Sequence, residues 1–249
     1  MTYATLIDDL SPVARQAGKA IMEIHARGVS ADFKSDGSPV TEADRAAEEI
    51  ILKALQKIAP ETTIISEENT HSHHLEAPER FFLVDPLDGT KEFLKTDGKG
   101  AFTVNIALIE NQLPVMGIVY APALDRMFAG SIDHGANENG LPISARLTPH
   151  TGPVAVASAS HRDAETDDWL AANAVEQIVS IGSSLKFCLL ATGEADVYPR
   201  FGPTMEWDTA AGEAVLRSAG GSVMRPDGTA FLYGKPGFRN GAFVAKGRR

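Results

Sequence analysis

Two aspartates three residues apart, Asp85 and Asp88, stand in the segment Asp85-Pro86-Leu87-Asp88-Gly89-Thr90, directly after the apolar run Phe81-Phe82-Leu83-Val84. Carboxylates held this close repel each other, and a shared divalent cation removes the repulsion. Mg²⁺ takes oxygen ligands and keeps some of its waters, so two carboxylates and a backbone carbonyl suit it. The plainer reading is a capped turn, because Asp-Pro and Asp-Gly are common turn dipeptides. Other acids carry the same two readings. Glu67 and Glu68 follow Ser66 and are either ligands or solvated surface acids. Asp208 after Trp207, and Asp44 in Val40-Thr41-Glu42-Ala43-Asp44, are either site carboxylates or ordinary acids at a helix start. His71, His73 and His74 could bind a transition metal, but no second ligand cluster lies near them in sequence, and loop histidines are more often solvated. Cys188, the only cysteine, reads as a buried helix residue.

These side chains need elements to hold them. Leu6, Leu10, Val13, Ala17, Ile21 and Ile24 recur at helical spacing, which predicts a helix over 4–27 closed by Gly28. After a turn at Asp36-Gly37-Ser38-Pro39, Thr41 caps a second helix that ends before Pro60. Thr62–Ile65 and Phe81–Val84 read as strands, the second stopping abruptly at Asp85, with a mobile loop over 69–79 between them. Strands follow at 102–109, 115–120 and 125–129. The Gly-, Asn- and Pro-rich stretch 134–153 is the expected boundary between two halves. Beyond it, strands at 154–157 and 178–181 flank a helix near 164–173. Helices at 184–192 and 209–219, and strands at 195–198, 222–225 and 242–245, complete a layered α/β or α+β architecture.

Bulk properties narrow the function. A chain of 249 residues with 43% hydrophobic and 22% charged residues can build a full core without staples. A net charge of −10 argues against nucleic-acid polymers and anionic membranes as partners. It would also repel a phosphorylated substrate unless metal ions or local basic residues reverse the sign at the site. One cysteine permits no internal disulfide. The acidic, patchily apolar N-terminus is not a signal peptide, and no run reaches the ~20 apolar residues of a transmembrane segment. The expectation is a cytoplasmic protein, monomer or homodimer, with peripheral membrane association left open.

Taken together, Asp85–Thr90 and Trp207-Asp208-Thr209-Ala210-Ala211-Gly212 resemble the paired motifs of the inositol monophosphatase superfamily, which are lithium-sensitive, magnesium-dependent phosphatases. Glu67-Glu68 and Val40–Asp44 extend the likeness, which runs from about residue 4 to the C-terminus. Gly182-Ser183-Ser184-Leu185-Lys186-Phe187-Cys188 and Tyr198-Pro199-Arg200-Phe201-Gly202-Pro203-Thr204 resemble the CysQ-type 3′(2′),5′-bisphosphate nucleotidases within it. Ser158-Ala159-Ser160-His161 departs from the Ser-Arg-Ser-His of many relatives, with Arg162 shifted beside it.

The resemblance implies an α+β fold, a layered αβαβα sandwich of the inositol monophosphatase and fructose-1,6-bisphosphatase type. It would be one unit over 1–249, with a metal-binding half at 1–147 and a half at 148–249 that completes the substrate site. It implies two Mg²⁺ ions. Glu67, Asp85 and the Leu87 carbonyl would hold one, and Asp85, Asp88 and Asp208 the other. A third, weaker ion would lie near Glu67. Asp44 and Thr90, with Glu67, would orient and deprotonate the attacking water. Gly89, Thr90 and Lys91, together with Glu67, Asp88 and Asp208, would line the cleaved phosphate of a small phosphorylated nucleotide. Lys186, assisted by Arg200, would hold the phosphate that is not cleaved; the plainer reading of Lys186 is a surface lysine. An inositol or sugar monophosphatase, or a nucleotide-sensing protein without catalysis, are the alternatives. Other phosphatase chemistries fit badly. Six residues after Cys188 stands Glu194 where a cysteine phosphatase needs arginine, no Asp-x-Asp surrounds Asp85, and no Arg-His-Gly occurs.

Overall fold

The computed structural model describes residues 2–28, 31–33, 39–95, 100–150, 152–158 and 162–248. The periodic N-terminal segment forms α1 (Tyr3–Ala26), capped by the Thr2 hydroxyl. Gly28 follows at φ +86°, the left-handed geometry that commonly ends helices. Val13 is only half-buried, and Ala14 takes the core position in its stead. A short antiparallel pair, β1 (Ala31–Phe33) and β2 (Pro39–Thr41), leads into α2 (Glu42–Ile58). Thr41 caps α2, and the Asp44 carboxylate reaches back to the Thr41 N–H at 2.7 Å. Such caps contribute about 1 kcal/mol. Of the turn expected at Asp36–Pro39, all but Pro39 lies outside the described residues, as do positions 159–161 of the departing segment.

Seven strands form the first sheet in sequence order: β3 (Thr63–Ser66), β4 (Arg80–Asp88), β5 (Thr103–Glu110), β6 (Leu113–Ala121), β7 (Arg126–Ser131), β8 (Gly135–Glu138) and β9 (Leu141–Ile143). Only β3 and β4 run parallel. Both faces of its centre are covered, which is why its strands read as continuous apolar runs. Phe82, Val84, Val104, Ile106, Met116 and Ile118 pack with α1 and α2 on one face. Phe81, Leu83, Ala107, Ile109 and Val119 point to the other, against α5 (Leu185–Ala191) and α6 (Ala210–Ser218). The one-turn helix α3 (Thr90–Phe93) follows β4, and α4 (Ala164–Ala172) precedes α5.

The second sheet has the order β11–β10–β12–β16–β14, with β10 (Val154–Ser158), β11 (Gln177–Ile181), β12 (Val197–Arg200), β14 (Ser222–Met224) and β16 (Phe243–Lys246). A separate small pair joins β13 (Thr204–Met205) to β15 (Arg239–Asn240). Tyr198, Val223 and Phe243 close the second sheet over α5 and α6, while Leu170 of α4 packs on its far face with Ala155 and Val197. The layers are therefore helix, sheet, helix, sheet, helix, as the resemblance implies. Gly212 lets the middle helices meet, since a Cβ there would lie 2.5 Å from the Phe187 ring. Among the described residues no helix is long and apolar enough to cross a membrane.

Two expectations need correction, and one segment holds more regular structure than its composition suggests. β4 does not stop at Asp85. It continues to Asp88 through a register shift in which Asp85 faces Asn105 and Asp88 faces Thr103; Pro86, which cannot donate to a ladder, sits in that irregularity. Residues 69–79 are not simply a loop, because Thr70–His74 form a 3₁₀ turn with Ser72 buried. Within 134–153, Asn139-Gly140 at φ +48° and +81° closes the hairpin β8–β9, a turn chemistry that composition alone hid.

Candidate active site

The edge of β3, the irregular end of β4 and the segment before α6 converge. Glu67, Asp85 and Asp208 each offer a carboxylate oxygen, and these atoms lie within 4.8 Å of one another. Asp85 is almost fully buried. Its Oδ1 accepts the Leu87 N–H at 3.0 Å. Asp208 Oδ2 accepts the Met205 N–H at 2.8 Å, and Asp88 Oδ2 accepts the Ser184 N–H at 2.6 Å. Backbone donors thus aim the Asp85, Asp88 and Asp208 carboxylates, which still repel one another. Loss of hydration, then Glu67, Asp88 and Asp208, push the Asp85 carboxyl well above the usual range. Loss of hydration, then Asp88 and Glu67, do the same to Asp208. Asp88 rises to about 6 through lost hydration, opposed by Lys186. An all-oxygen set of repelling acids fits a hard divalent cation. The histidines do not join it: His71 and His74 are exposed, and among the described residues the metal-sized cluster is purely carboxylate.

Asp44 lies beside this cluster. Its Oδ2 takes both the N–H and the hydroxyl of Thr41, at 2.7 and 2.6 Å. Its Oδ1 lies 3.4 Å from the Thr90 hydroxyl, which is also 3.3 Å from the Leu87 carbonyl. Burial raises the Asp44 carboxyl, against the Thr41 hydrogen bonds. The end of β4 presents Leu87 and Asp88, and the start of α3 presents Thr90, together with Asp44. Gly89 makes the bend at φ +91°, where a Cβ would meet the Ala101 carbonyl at 2.9 Å. Lys91 follows with its side chain exposed.

A small cavity of about 90 Å³ adjoins the acids, with Asp88 and Asp208 on one side and Lys186, Tyr198, Arg200 and Thr204 among its other walls. Lys186 is no surface lysine: it is 4% exposed. Its ammonium donates to the Ser183 carbonyl at 2.6 Å and the Ile181 carbonyl at 3.4 Å, and lies over the Tyr198 ring. Burial pulls it down to about 8, opposed by Asp88. Arg200 is anchored by the Gly202 and Pro203 carbonyls. The Thr204 hydroxyl is buried without a hydrogen-bond partner. A small space lined by Lys186, Arg200 and an unpartnered hydroxyl suits an oxyanion.

The model of the inositol monophosphatase family matches residues 4–247. The chain belongs to that family. Among curated proteins, the 3′(2′),5′-bisphosphate nucleotidase CysQ of Escherichia coli K12 is 42% identical over 94% of this chain and 98% of its own. The Buchnera aphidicola protein of that name is 39% identical over 98% and 94%. Among solved structures, CysQ from Bacteroides thetaiotaomicron superposes with a TM-score of 0.83 at 37% identity, covering 98% of both chains. Thermotoga maritima IMPase also gives 0.83, at 25% identity, covering 97% of this chain and 92% of that one.

Several residues around the site carry no signal in the sequence. Thr204 and Ser184 read as ordinary polar residues, although the Thr204 hydroxyl faces the cavity and the Ser184 N–H fixes Asp88. Glu206 is fully buried, paired with Lys235 at 2.6 Å and bonded to the Gly234 and Lys235 N–H groups. It thereby pins the chain just ahead of Trp207-Asp208. A glutamate in sequence carries no signal that a lysine 29 positions on will meet it.

Proposed function

We propose that this family member is a Mg²⁺-dependent 3′(2′),5′-bisphosphate nucleotidase that hydrolyses adenosine 3′,5′-bisphosphate to AMP and phosphate. The observation that carries the reading is the repelling cluster of Glu67, Asp85 and Asp208 beside a cation-lined cavity. Glu67, Asp85, Asp88, Asp208 and the Leu87 carbonyl would hold two Mg²⁺ ions, a third being weaker. When bound, these ions supply charge neutralisation at the phosphoryl oxygens and acidify water.

The chain's own groups do the rest. Asp44, fixed by Thr41, accepts the proton of the attacking water directly or through the Thr90 hydroxyl, with Glu67 completing the arrangement. Backbone donors around Gly89, Thr90 and Lys91 orient the phosphate being cleaved. Lys186, Arg200 and Thr204 hold the other phosphate; the ammonium spends two of its three donors on carbonyls. Attack is in line, without a covalent phosphoenzyme. Cys188 is buried, and burial pushes its thiol up, away from nucleophilic duty.

Phosphate release from adenosine 3′,5′-bisphosphate, with and without Mg²⁺ and beside inositol 1-phosphate, tests the reading. Mg²⁺-dependent preference for the nucleotide supports it. Preference for the inositol ester replaces the substrate but keeps the chemistry, and release from neither returns the chain to ligand sensing.

A further inference from the structure

The histidine-bearing turn has no part in the chemistry above, yet one of its rings reaches the site's frame. His73 Nε2 lies 2.9 Å from the Ser66 carbonyl oxygen. Because a carbonyl only accepts, that nitrogen carries the proton. The same ring stacks on Trp207, centroids 4.6 Å apart and planes 25° from parallel. Ser66 immediately precedes Glu67, and Trp207 immediately precedes Asp208. One imidazole therefore grips the neighbours of two carboxylates that lie within 4.8 Å of each other.

Both grips are anchored. The Ser66 N–H donates to the buried Ser72 hydroxyl at 3.1 Å, and the Ser66 hydroxyl donates to Glu48 at 2.5 Å. Trp207 is 4% exposed and packs near Phe238. Like charge pushes the end of β3 away from the segment before α6, and a stacked, hydrogen-bonded ring opposes that spreading.

We propose that His73 is a positioning residue for the cation cluster, setting the separation of the Glu67 and Asp208 carboxylates; the inference rests on the metal reading given above. His73 is absent from the walls of the Lys186–Arg200–Thr204 cavity and reaches it only through Asp208, so its effect falls mainly on cation affinity and only weakly on the grip of the second phosphate. This separates it from a merely structural residue, whose loss would weaken both together.

The test is calorimetric titration of Mg²⁺ into the substrate-free full chain, comparing wild type, His73→Ala and His73→Phe. Partners behind metal ligands typically change affinity about 10–100-fold when removed. The expected result is a loss of about ten-fold in His73→Ala and a smaller loss in His73→Phe, which keeps the stack but not the N–H. KM for the nucleotide at saturating Mg²⁺ stays within about two-fold. Wild-type Mg²⁺ affinity in a folded His73→Ala chain overturns the proposal, as does a KM that rises as steeply as the Mg²⁺ constant. Should His73→Ala fail to fold, His73→Phe decides by the same criterion, weaker Mg²⁺ binding supporting the role and unchanged binding overturning it. A wild-type chain that takes up no Mg²⁺ overturns the metal reading, and the positioning role falls with it.

Discussion

The Ser184 N–H donates to Asp88 across 2.6 Å, joining residues 96 positions apart. Behind this bond the Ser184 hydroxyl meets Asn105 Oδ1 at 2.5 Å and the Thr103 hydroxyl at 2.9 Å. Thr103 and Asn105 are the residues that face Asp88 and Asp85 in the β4–β5 ladder. The acidic motif is thus held from the strand beside it and from the start of α5. Fully satisfied buried polar networks of this kind rigidify what they touch.

Asp85→Asn should abolish turnover at every Mg²⁺ concentration. The same change should stabilise the chain in chelator at pH 8. A carboxyl whose folded pKa lies above its unfolded value costs stability once pH exceeds the unfolded value, and asparagine removes that cost while still accepting the Leu87 N–H. Each kcal/mol recovered corresponds to a rise in Tm of about 2–4 °C for a chain of this size. A lower Tm in chelator, read by differential scanning fluorimetry, would show that the acids do not strain the protein.

Thr90→Ala should lower kcat by about 10²–10⁴, the usual weight of a proton-handling group, with KM little changed. Thr90→Ser, which restores the hydroxyl, should recover most of it. A Thr90→Ala kcat within a few-fold of wild type would remove the Asp44–Thr90 relay.

Lys186→Ala should raise KM for adenosine 3′,5′-bisphosphate far more than for a nucleoside monophosphate. A lost charge-assisted contact costs about 1.5–3 kcal/mol, roughly ten-fold or more. Equal effects on both substrates, measured by phosphate release, would take the second phosphate away from the Lys186 cavity.

Glu213 gives a pH signature remote from the catalytic proton. It is fully buried on α6, accepts the Tyr233 hydroxyl at 2.7 Å, and is pushed up to about 7 chiefly by burial. Between about 4.5 and about 7 the unfolded chain has released a proton that the folded chain keeps. Stability from this group is therefore present below pH 4.5 and declines until about pH 7. The Tm of Glu213→Gln relative to wild type should accordingly climb from pH 5 to pH 8. A difference that stays flat with pH would place the Glu213 carboxyl near its ordinary range.

Much of this was legible because it is local. Helical spacing marked α1, the Thr41 cap marked α2, and apolar runs marked β4, β5 and β6. The acids could be singled out only through the paired motifs that tie them to a family, since carboxylates in turns and at helix starts are ordinary on their own. What stayed hidden depends on partners far away in the chain. Lys186 looks like any surface lysine until α5 is laid between two sheets. Thr204 and Ser184 gain meaning only when the cavity and Asp88 come to them. The β8–β9 hairpin was masked by its own turn residues, whose composition resembles a linker.

The origin of the three clustered carboxylates has one more consequence. Glu67 and Asp85 come from the first sheet, and Asp208 from the entrance to a helix that lies between the two sheets. No single stretch of chain owns the site, so it comes into being only as the last layers close. Bringing the layers together also brings three negative groups together, and a bound divalent ion would offset that repulsion. Ion binding and the closure of the two sheets over the middle helices are therefore linked: whatever favours one would favour the other.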